Sequence, residues 1–343
     1  MDALLSVRRR QLLTAFGAAA LGSACGLRAD VRSLRLGGAS MGSTWSVRIA
    51  GGPFGASFEA AAKDAVTGAL DAVVARMSTY DAASEVGRFN RHATTTPFAL
   101  SAETLAVLER AQAVSRQSGG AFDVTVAPLV GAWGFGADAS ARGAAPTAAE
   151  LGAPVGWQRL GLDIARGTVR KVHPAVRIDL SGIAKGHAVD RAALALDALG
   201  IERYMVEAGG EVRTRGQNAD GRPWQIAIEQ PDAWPQQARR IVPLQGLSMA
   251  TSGDYRNFYE QGGHRIHHEI DPATRAPAAH ALASVSVVHE HCIAADAWAT
   301  ALFVLGPERG LALAREQRLA AVFVVREGRA LRDIVSPAFD ALT

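Results

Sequence analysis

The chain has 343 residues, of which 48% are hydrophobic and 20% are charged, and its formal net charge is +3. This length and composition are typical of a globular protein with one large or two medium domains. Removal of residues 1–25, which hold three arginines and one aspartate, lowers the net charge to +1. A charge so close to neutral gives no reason to expect nucleic acid as a partner.

An export signal is the first feature in chain order. Arg8, Arg9 and Arg10 precede a short apolar run that extends from Leu12 to Leu21. The run is too short to span a bilayer as a stable helix, so residues 1–29 are predicted to be a signal peptide and residues 30–343 the mature domain. The paired arginines before Gln-Leu-Leu favour a twin-arginine signal, with a Sec signal as the alternative. Both routes predict a periplasmic protein.

The two cysteines add little to this prediction. Cys25 lies at the expected processing point, and Cys292 is far away in the sequence. A disulfide between them is not expected if the first is removed or lipidated. A lipid anchor on Cys25 is the less favoured alternative, because the small residues before it are one position out of step with a lipobox.

Hydrophobic periodicity predicts the regular elements that follow. Apolar residues alternate over Thr44–Ala50, as in a strand, and recur at helical spacing over Ser57–Met77, with Ser57 as the cap. A second helix is expected from Ser101, its cap, to Ser118, before two glycines. The segment Ala137–Gly156 is rich in Ala, Gly and Pro and is predicted to be a surface excursion.

The second half of the chain mixes both kinds of element. Strands are expected at Thr168–Val172, Val176–Leu180, Tyr204–Glu207, Trp224–Glu229, Arg240–Leu244, Ala283–Val288 and Ala320–Arg326, and helices at Ile183–Leu199, Ala294–Leu305 and Pro307–Arg318. Several strands come in adjacent pairs rather than alternating with helices. The predicted fold class is therefore α+β.

One of only three lysines in the chain, Lys185, lies between two glycines at the start of a predicted helix. The first turn of a helix offers free N–H groups and a positive dipole end to an anion, and a lysine there adds a charge. This combination suggests a phosphate site. The spacings of a P-loop and of a Rossmann fingerprint are both absent. An ordinary strand-turn-helix with a solvated lysine remains the alternative.

A second candidate pair occurs near the start of a later helix. Asp296 and Thr300 are four residues apart, so they project from the same helix face. A carboxylate and a hydroxyl are hard oxygen donors that suit Mg²⁺, which leaves positions for phosphate oxygens and water. The alternative is that Asp296 merely caps the helix.

Histidines form two groups, one at His264, His267 and His268 and one at His289 and His291 beside Cys292. They raise a zinc alternative, which strand geometry weakens because alternate residues of a strand face opposite sides. His268 is the better candidate for acid–base work near neutral pH, with an ordinary exposed loop histidine as the alternative.

Several segments in this order resemble the ApbE family of flavin transferases, the FAD:protein FMN transferases. They are "GASMGSTWSVRI", "MSTYDAASEVGRFN", "SGGAFDVTVAPLVGAWGFG", "IDLSGIAKGHAVD", "EAGGEVRTRG", "MATSGDYRNFYEQGGHRIHHEIDP" and "CIAADAWATALFVLG". The resemblance covers nearly the whole mature chain. It implies an ApbE-like, T-fold-like α+β architecture, in which mixed sheets and packed helices form a single large unit of two intertwined subdomains.

The resemblance also implies a reaction. FAD would be the substrate, cleaved at its pyrophosphate with Mg²⁺ as cofactor, and FMN would be esterified to a Ser or Thr hydroxyl of an acceptor flavoprotein as AMP leaves. The implied acceptor is a membrane respiratory or electron-transfer subunit, which leaves peripheral membrane association open. Two alternatives use the same pocket: hydrolysis of FAD to FMN and AMP, and flavin binding without catalysis.

Site residues follow from the matching positions. The implied metal ligands are the main-chain oxygen of Gly182 and the side chains of Asp296 and Thr300. The residues implied to line the flavin nucleotide, with Tyr80 against its ring system, are Met41, Tyr80, Ala121, Phe122, Asp123, Asp179, Lys185, His268 and Ile270. Lys185 would neutralise phosphate charge in the reaction. His268 or a carboxylate, Asp271 or Asp254, would deprotonate the acceptor hydroxyl.

The chain departs from the family pattern at two places. Ala82 and Ala83 stand where a proline is common, and Arg275 replaces the glycine of the pattern Ile-Asp-Pro-x-Thr-Gly. The resemblance alone therefore does not define the turn after Asp271.

Overall fold

The protein is described by a computed structural model that places residues 33–342. The strands in chain order are β1 (Ser33–Ser40), β2 (Ser43–Ala50), β3 (Phe98–Ala99), β4 (Leu160–Asp163), β5 (Thr168–Lys171), β6 (Tyr204–Ala208), β7 (Glu211–Arg215), β8 (Trp224–Glu229), β9 (Ala238–Leu244), β10 (Ser248–Gly253), β11 (Phe258–Gln261), β12 (His264–His267), β13 (Ile270–Asp271), β14 (Ala276–Pro277), β15 (Leu282–His289), β16 (Ala320–Glu327) and β17 (Ala330–Val335). The helices are α1 (Ala56–Met77), α2 (Glu85–Arg91), α3 (Ala102–Gln117), α4 (Ala127–Ala132), α5 (Ala148–Leu151), α6 (Ala184–Ala198), α7 (Cys292–Glu316) and α8 (Pro337–Asp340). The predicted signal peptide and Cys25 lie outside the described residues.

Eight strands form one antiparallel sheet in the spatial order β1-β2-β6-β7-β10-β15-β16-β17. Helices α1, α6 and α7 bury their apolar faces in the same core as one face of this sheet. The hairpin β8–β9 packs on the other face, in a second core. The fold class is α+β, as the sequence predicted, and the described residues belong to one compact unit.

Burial on both faces explains the continuous apolar run in β15. Val287 belongs to the helical core and its neighbour Val288 to the hairpin core. Successive side chains of a strand point to opposite faces, so both positions are apolar only when both faces are covered. Among residues 33–342, no helix is both long and apolar enough to cross a membrane.

Two local predictions were wrong. Helix α1 begins at Ala56, one residue before the predicted start at Ser57. Its N-cap residue is Gly55 rather than Ser57, so no side chain caps this helix. The segment Val176–Leu180 is extended, and its alternate residues are buried, but it pairs with no strand. The side chain of Asn90 instead accepts from the N–H of Ile178 and donates to its carbonyl, both at 2.8 Å. This amide substitutes for a neighbouring strand.

Other local predictions were confirmed. Ser101 caps α3 by accepting a hydrogen bond from the Thr104 N–H. The predicted break between the two last long helices occurs at Gly306, where φ is 80° within α7. The segment 137–156 is mostly exposed and contains only the short helix α5.

Candidate functional site

A cavity of about 850 Å³ opens among the turn between β1 and β2, the end of α1, the start of α6, the turn between β6 and β7, strand β10 and helix α7. Twelve predicted site residues line it: Met41, Tyr80, Ala121, Phe122, Asp123, Asp179, Gly182, Lys185, His268, Ile270, Asp296 and Thr300. They come from segments up to 259 residues apart in the chain. The fold therefore brings the predicted metal ligands and the predicted nucleotide residues to one site.

Two of the predicted metal donors, Gly182 and Thr300, are neighbours where α7 passes the start of α6, and the third, Asp296, lines the same cavity. A Cβ atom on Gly182 would lie 3.0 Å from Thr300 Oγ1, so this glycine backbone and the hydroxyl are neighbours. One turn earlier in α7, Asp296 Oδ2 accepts a hydrogen bond from the Gly186 N–H at 2.8 Å. Asp296 does not cap its own helix, because the N-cap of α7 is His291. It instead caps α6 from outside.

The Thr300 hydroxyl belongs to a short polar chain. Its Oγ1 lies 3.0 Å from the Oγ of Ser252 on β10, and Ser252 hydrogen-bonds the carboxylate of Glu269. If each hydroxyl donates toward Glu269, a lone pair of Thr300 Oγ1 stays free for a cation beside Gly182. Such outer partners orient the ligands of a metal ion.

Three buried carboxylates surround one lysine in the cavity. Burial raises the pKa of Asp296 to about 6 and the pKa values of Glu211 and Glu269 to about 7, against the opposing effect of Lys185. The Oε2 atom of Glu211 is buried without a hydrogen-bond partner. When all three are ionised, one ammonium leaves two negative charges unbalanced, which a divalent cation would neutralise. The donor set consists of hard oxygens, so it fits Mg²⁺.

Lys185 extends from the first turn of α6 into this acidic group. Its Nζ donates to Glu211 Oε1 at 2.6 Å. Burial opposes the charge, but Glu211 and Asp296 outweigh it and raise the lysine pKa above its ordinary value. Lys185 is therefore a permanent cation that a phosphate group in the cavity could contact.

The nucleotide-lining residues are held by their own local bonds. Met41 has φ 51° in the two-residue turn between β1 and β2, a conformation that L-residues other than Asn and Asp rarely adopt. Asp123 accepts hydrogen bonds from Thr125 and from the Trp157 N–H, and the N–H of the preceding Phe122 donates to the hydroxyl of Ser118. Asp179 accepts from the N–H and hydroxyl of Ser181 and thereby braces the turn before Gly182.

Tyr80 differs from these residues because it is 73% exposed at the cavity wall. Its ring is open to a flat partner. That Tyr80 lies against the flavin ring system stays a prediction, and an exposed ring in the cavity wall is the surface on which a flat group could stack.

His268 and Ile270 line the cavity, whereas Asp271 does not belong to its lining. Burial lowers the pKa of His268, so the imidazole is neutral at pH 7 and able to accept a proton. The Asp271 carboxylate accepts from the Ala273 N–H within the turn between β13 and β14. Asp254, the other carboxylate considered as a base, forms ion pairs with Arg326 and Arg265. His268 is thus the base candidate that faces the cavity.

Arg275 preserves the turn at which the family glycine is replaced. Its φ is 61°, and its N–H donates to the carbonyl of Asp271 at 2.8 Å. The guanidinium donates to the carbonyls of Leu151 and Ala153, at 2.6 and 2.9 Å. These two bonds hold an arginine in a conformation that favours glycine, and they tie this turn to the surface segment 137–156.

The zinc alternative finds no ligand set here. Within residues 33–342, no three His, Cys, Asp or Glu side chains are placed to hold a metal ion together. The thiol of Cys292 is buried and faces the carbonyl of Val212 at 3.6 Å. The ring of His267 is buried and bonded to the carbonyl of Ala278.

Sequence reasoning missed Glu211, Glu269 and Ser252 as members of the site. All three line the cavity, yet they lie on different elements from Lys185 and Thr300, which they contact or approach. Glu211 directly follows a glycine pair and Glu269 directly follows His268. These positions were the only local signals that could have identified them.

Comparisons with known proteins identify the family of this chain. The sequence model of the ApbE family matches residues 41–323, a range that contains all twelve cavity-lining residues named above. A Vibrio cholerae protein named FAD:protein FMN transferase is 39% identical over 315 residues, which cover 92% of this chain and 94% of that protein. A Haemophilus influenzae protein of the same name is 39% identical over 322 residues, 92% of each chain.

Solved structures agree with the sequence comparisons. The flavin transferase ApbE from Vibrio cholerae superposes with a TM-score of 0.82 at 37% identity, over 91% of this chain and 100% of that chain. The Pseudomonas stutzeri flavinyl transferase ApbE, in its apo form, also gives a TM-score of 0.82 at 37% identity, over 91% of this chain and 97% of that chain.

Proposed function

Because the chain belongs to the ApbE family, we propose that it is an FAD:protein FMN transferase that requires Mg²⁺. FMN is transferred from FAD to a Ser or Thr hydroxyl of an acceptor flavoprotein, and AMP is released. The observation that carries this proposal is that one cavity contains the hard oxygen donors of Asp296 and Thr300 together with Lys185 and His268.

The reaction exchanges the phosphoanhydride bond of FAD for a phosphoester bond to the acceptor. The acceptor oxygen forms a bond to the FMN phosphorus while the bond from that phosphorus to the bridging pyrophosphate oxygen breaks, so the bridging oxygen leaves with AMP. The hydroxyl proton passes to the neutral imidazole of His268. Lys185 offsets negative charge on the phosphoryl oxygens.

The metal site contributes charge and orientation. The Gly182 carbonyl oxygen, Asp296 and Thr300 would hold Mg²⁺, and the ion supplies neutralisation of the pyrophosphate when it is bound. The chain fixes these donors before binding, since Asp296 is held by the Gly186 N–H and Thr300 by Ser252. The flavin half of the substrate would lie against the part of the cavity wall that contains Tyr80, Met41 and Phe122.

Export to the periplasm is part of the proposal. It rests on the arginine pair and the short apolar run before residue 29. The acceptor is then a protein domain that faces the periplasm, such as a subunit of a membrane electron-transfer complex. Replacement of Arg9 and Arg10 by lysines should leave the precursor in the cytoplasm if the twin-arginine route is used, and should leave export unchanged if the Sec route is used.

Product analysis tests the proposed reaction. The purified mature chain is incubated with FAD, Mg²⁺ and an acceptor peptide that carries a threonine, with the alanine version of the peptide as the matched control. Flavin fluorescence that stays on the denatured threonine peptide, with AMP released in equal amount, supports transfer. Free FMN with both peptides indicates hydrolysis instead, and unchanged FAD indicates binding alone. Either of these last two results contradicts the proposal.

A further inference from the structure

The hairpin turn between β6 and β7 lies directly against the side chain of Lys185. Gly209 and Gly210 form this two-residue turn, with φ values of 65° and 107°. Ala208, the last residue of β6, pairs with Glu211, the first residue of β7. Glu211 is 1% exposed and lines the cavity beside Lys185. The turn therefore presents a buried carboxylate to the lysine of another element.

Only one of the two carboxylate oxygens of Glu211 is hydrogen-bonded to Lys185. Lys185 Nζ donates to Glu211 Oε1 at 2.6 Å, while the second oxygen, Oε2, is buried without a hydrogen-bond partner. A buried pair of this kind gains little net stability, because desolvation of both charges offsets their attraction. An unsatisfied carboxylate oxygen adds a further cost. Stability of the fold does not account for this arrangement.

Gly209 supplies the space that the pair needs. A Cβ atom at this position would lie 3.3 Å from Glu211 Oε2 and 3.3 Å from Lys185 Cδ. Both distances are tighter than ordinary van der Waals contact. A side chain at Gly209 would therefore press on the lysine stem and on the carboxylate that holds its ammonium, in addition to straining the turn.

We propose that Glu211 and Gly209 form a clamp that positions the side chain of Lys185. A lysine stem has four rotatable bonds, so an unrestrained ammonium would occupy many positions in a cavity of this size. The Glu211 carboxylate restricts it to one, in which the charge faces the space between α6 and the β6–β7 turn. Glu211 acts through the lysine and is not itself a catalytic residue.

The identity of the phosphate that Lys185 meets rests on the proposed function, but the clamp does not. The two are therefore tested by separate measurements. Because the mature chain has only three lysines, mass spectrometry after brief acetylation reads each one individually. Lys63 is exposed on α1 and serves as the internal standard.

The first measurement is the acetylation rate of Lys185 in the substrate-free protein. Glu211→Gln and Glu211→Ala should each increase this rate by about tenfold or more relative to Lys63, because the lysine loses the carboxylate that holds its proton and its position. Asp197→Asn is the matched control. Asp197 lies on the same helix as Lys185 but accepts hydrogen bonds from Tyr204 and Arg215, so its variant should leave the Lys185 rate unchanged. Equal Lys185 rates in the wild-type protein and both Glu211 variants would overturn the clamp.

The second measurement separates positioning from folding. Glu211→Gln should lower kcat for transfer by roughly 10- to 100-fold, while KM for FAD changes by less than about threefold, since charge placement matters most in the transition state. Glu211→Asp should recover part of kcat, because it keeps the charge at a shorter reach. A loss of melting temperature with unchanged kcat per folded molecule would show a merely structural role and overturn the proposal. If the wild-type protein transfers no flavin at all, the proposed function fails while the acetylation result still decides the clamp.

Discussion

Asp190 and Asp296 each cap the helix that carries the other. Asp190 on α6 accepts from the N–H groups of Cys292 and Ile293 at the start of α7, both at 3.0 Å. Asp296 on α7 accepts from the Gly186 N–H in the first turn of α6 at 2.8 Å. The two helix starts are thus fixed against each other, and with them the predicted metal donors, Asp296 and Thr300 on α7 and Gly182 in the turn before α6.

Replacement of Asp190 should weaken both the fold and the metal site. Asp190→Ala removes two caps and leaves its partner Arg213 without a buried counter-charge, so the free energy of unfolding should fall by about 3 kcal/mol or more. Mg²⁺ affinity should fall by about tenfold, as when an outer partner of a ligand is lost. Denaturant unfolding and calorimetric Mg²⁺ titration measure the two effects.

Asp197→Asn provides the control for Asp190. It lies two turns later on α6. Its partner Arg215 is 42% exposed, and asparagine keeps an oxygen that accepts from the Tyr204 hydroxyl, so the substitution should cost less than about 1 kcal/mol. Mg²⁺ affinity should stay unchanged. An Asp190→Ala protein with wild-type metal affinity would show that the reciprocal capping does not support the site.

The closeness of the two helices predicts opposite effects for two helical glycines. A Cβ on Gly186 would lie 2.4 Å from the Cys292 carbonyl oxygen and 2.7 Å from Asp296 Cβ, so Gly186→Ala must push α7 away. We expect a loss of about 1–3 kcal/mol in the free energy of unfolding, with loss of Mg²⁺ binding. Gly68 on α1 has no atom within 4 Å of its Cβ position, so Gly68→Ala should gain up to about 1 kcal/mol. Equal effects of both substitutions on unfolding would contradict this packing.

Mg²⁺ binding should release protons in a defined pH range. Burial raises the pKa of Asp296 to about 6, so below pH 6 the carboxyl group holds a proton that the ion must displace. Affinity should therefore increase as pH rises from 5 to 7, by up to about tenfold per pH unit, and level off above pH 7, where Glu211 and Glu269 have also ionised. Calorimetry in buffers of different ionisation enthalpy counts the protons. Affinity that is independent of pH over this range would contradict the carboxylate ligand.

The buried imidazole of His267 should cause a separate loss of folding stability in acid. Burial lowers its pKa from 6.5 to about 4, so the unfolded chain binds a proton in this interval while the folded chain does not. The contribution of the neutral ring is present above pH 6.5 and is lost as pH falls toward 4, by about 3 kcal/mol. The cavity carboxylates act in the opposite direction, so the informative quantity is the difference between wild-type protein and His267→Gln. That difference in unfolding free energy should shrink between pH 7 and pH 4, and a constant difference would refute the assignment.

The sequence could predict those parts of the site that depend on local spacing. Asp296 and Thr300 share a face of α7 because they are four residues apart, and both line the cavity. Lys185 does begin a helix after a turn, as its flanking glycines indicated. The long periodic helices and four strands of the central sheet, β2, β6, β15 and β16, were likewise local signals, whereas β1, β7, β10 and β17 were not predicted.

Long-range partners could not be predicted in this way. The period-2 burial of Val176–Leu180 is that of a strand, yet the amide of Asn90, 88 residues away, takes the place of a strand partner. Glu211 lies 26 residues from Lys185, and Ser252 lies 48 residues from Thr300. No periodicity in a single sequence reports which side chain will face which, because that is decided by sheet order and helix packing.

The metal site is the central claim, and anomalous scattering from Mn²⁺ tests it most directly. Crystals of the mature protein soaked with Mn²⁺ and FAD should show one strong anomalous peak within about 2.0–2.4 Å of the Gly182 carbonyl oxygen, an Asp296 carboxylate oxygen and Thr300 Oγ1. Crystals of Asp296→Asn should lack it. A wild-type peak that is coordinated elsewhere, or a peak that persists unchanged in Asp296→Asn, would contradict the account.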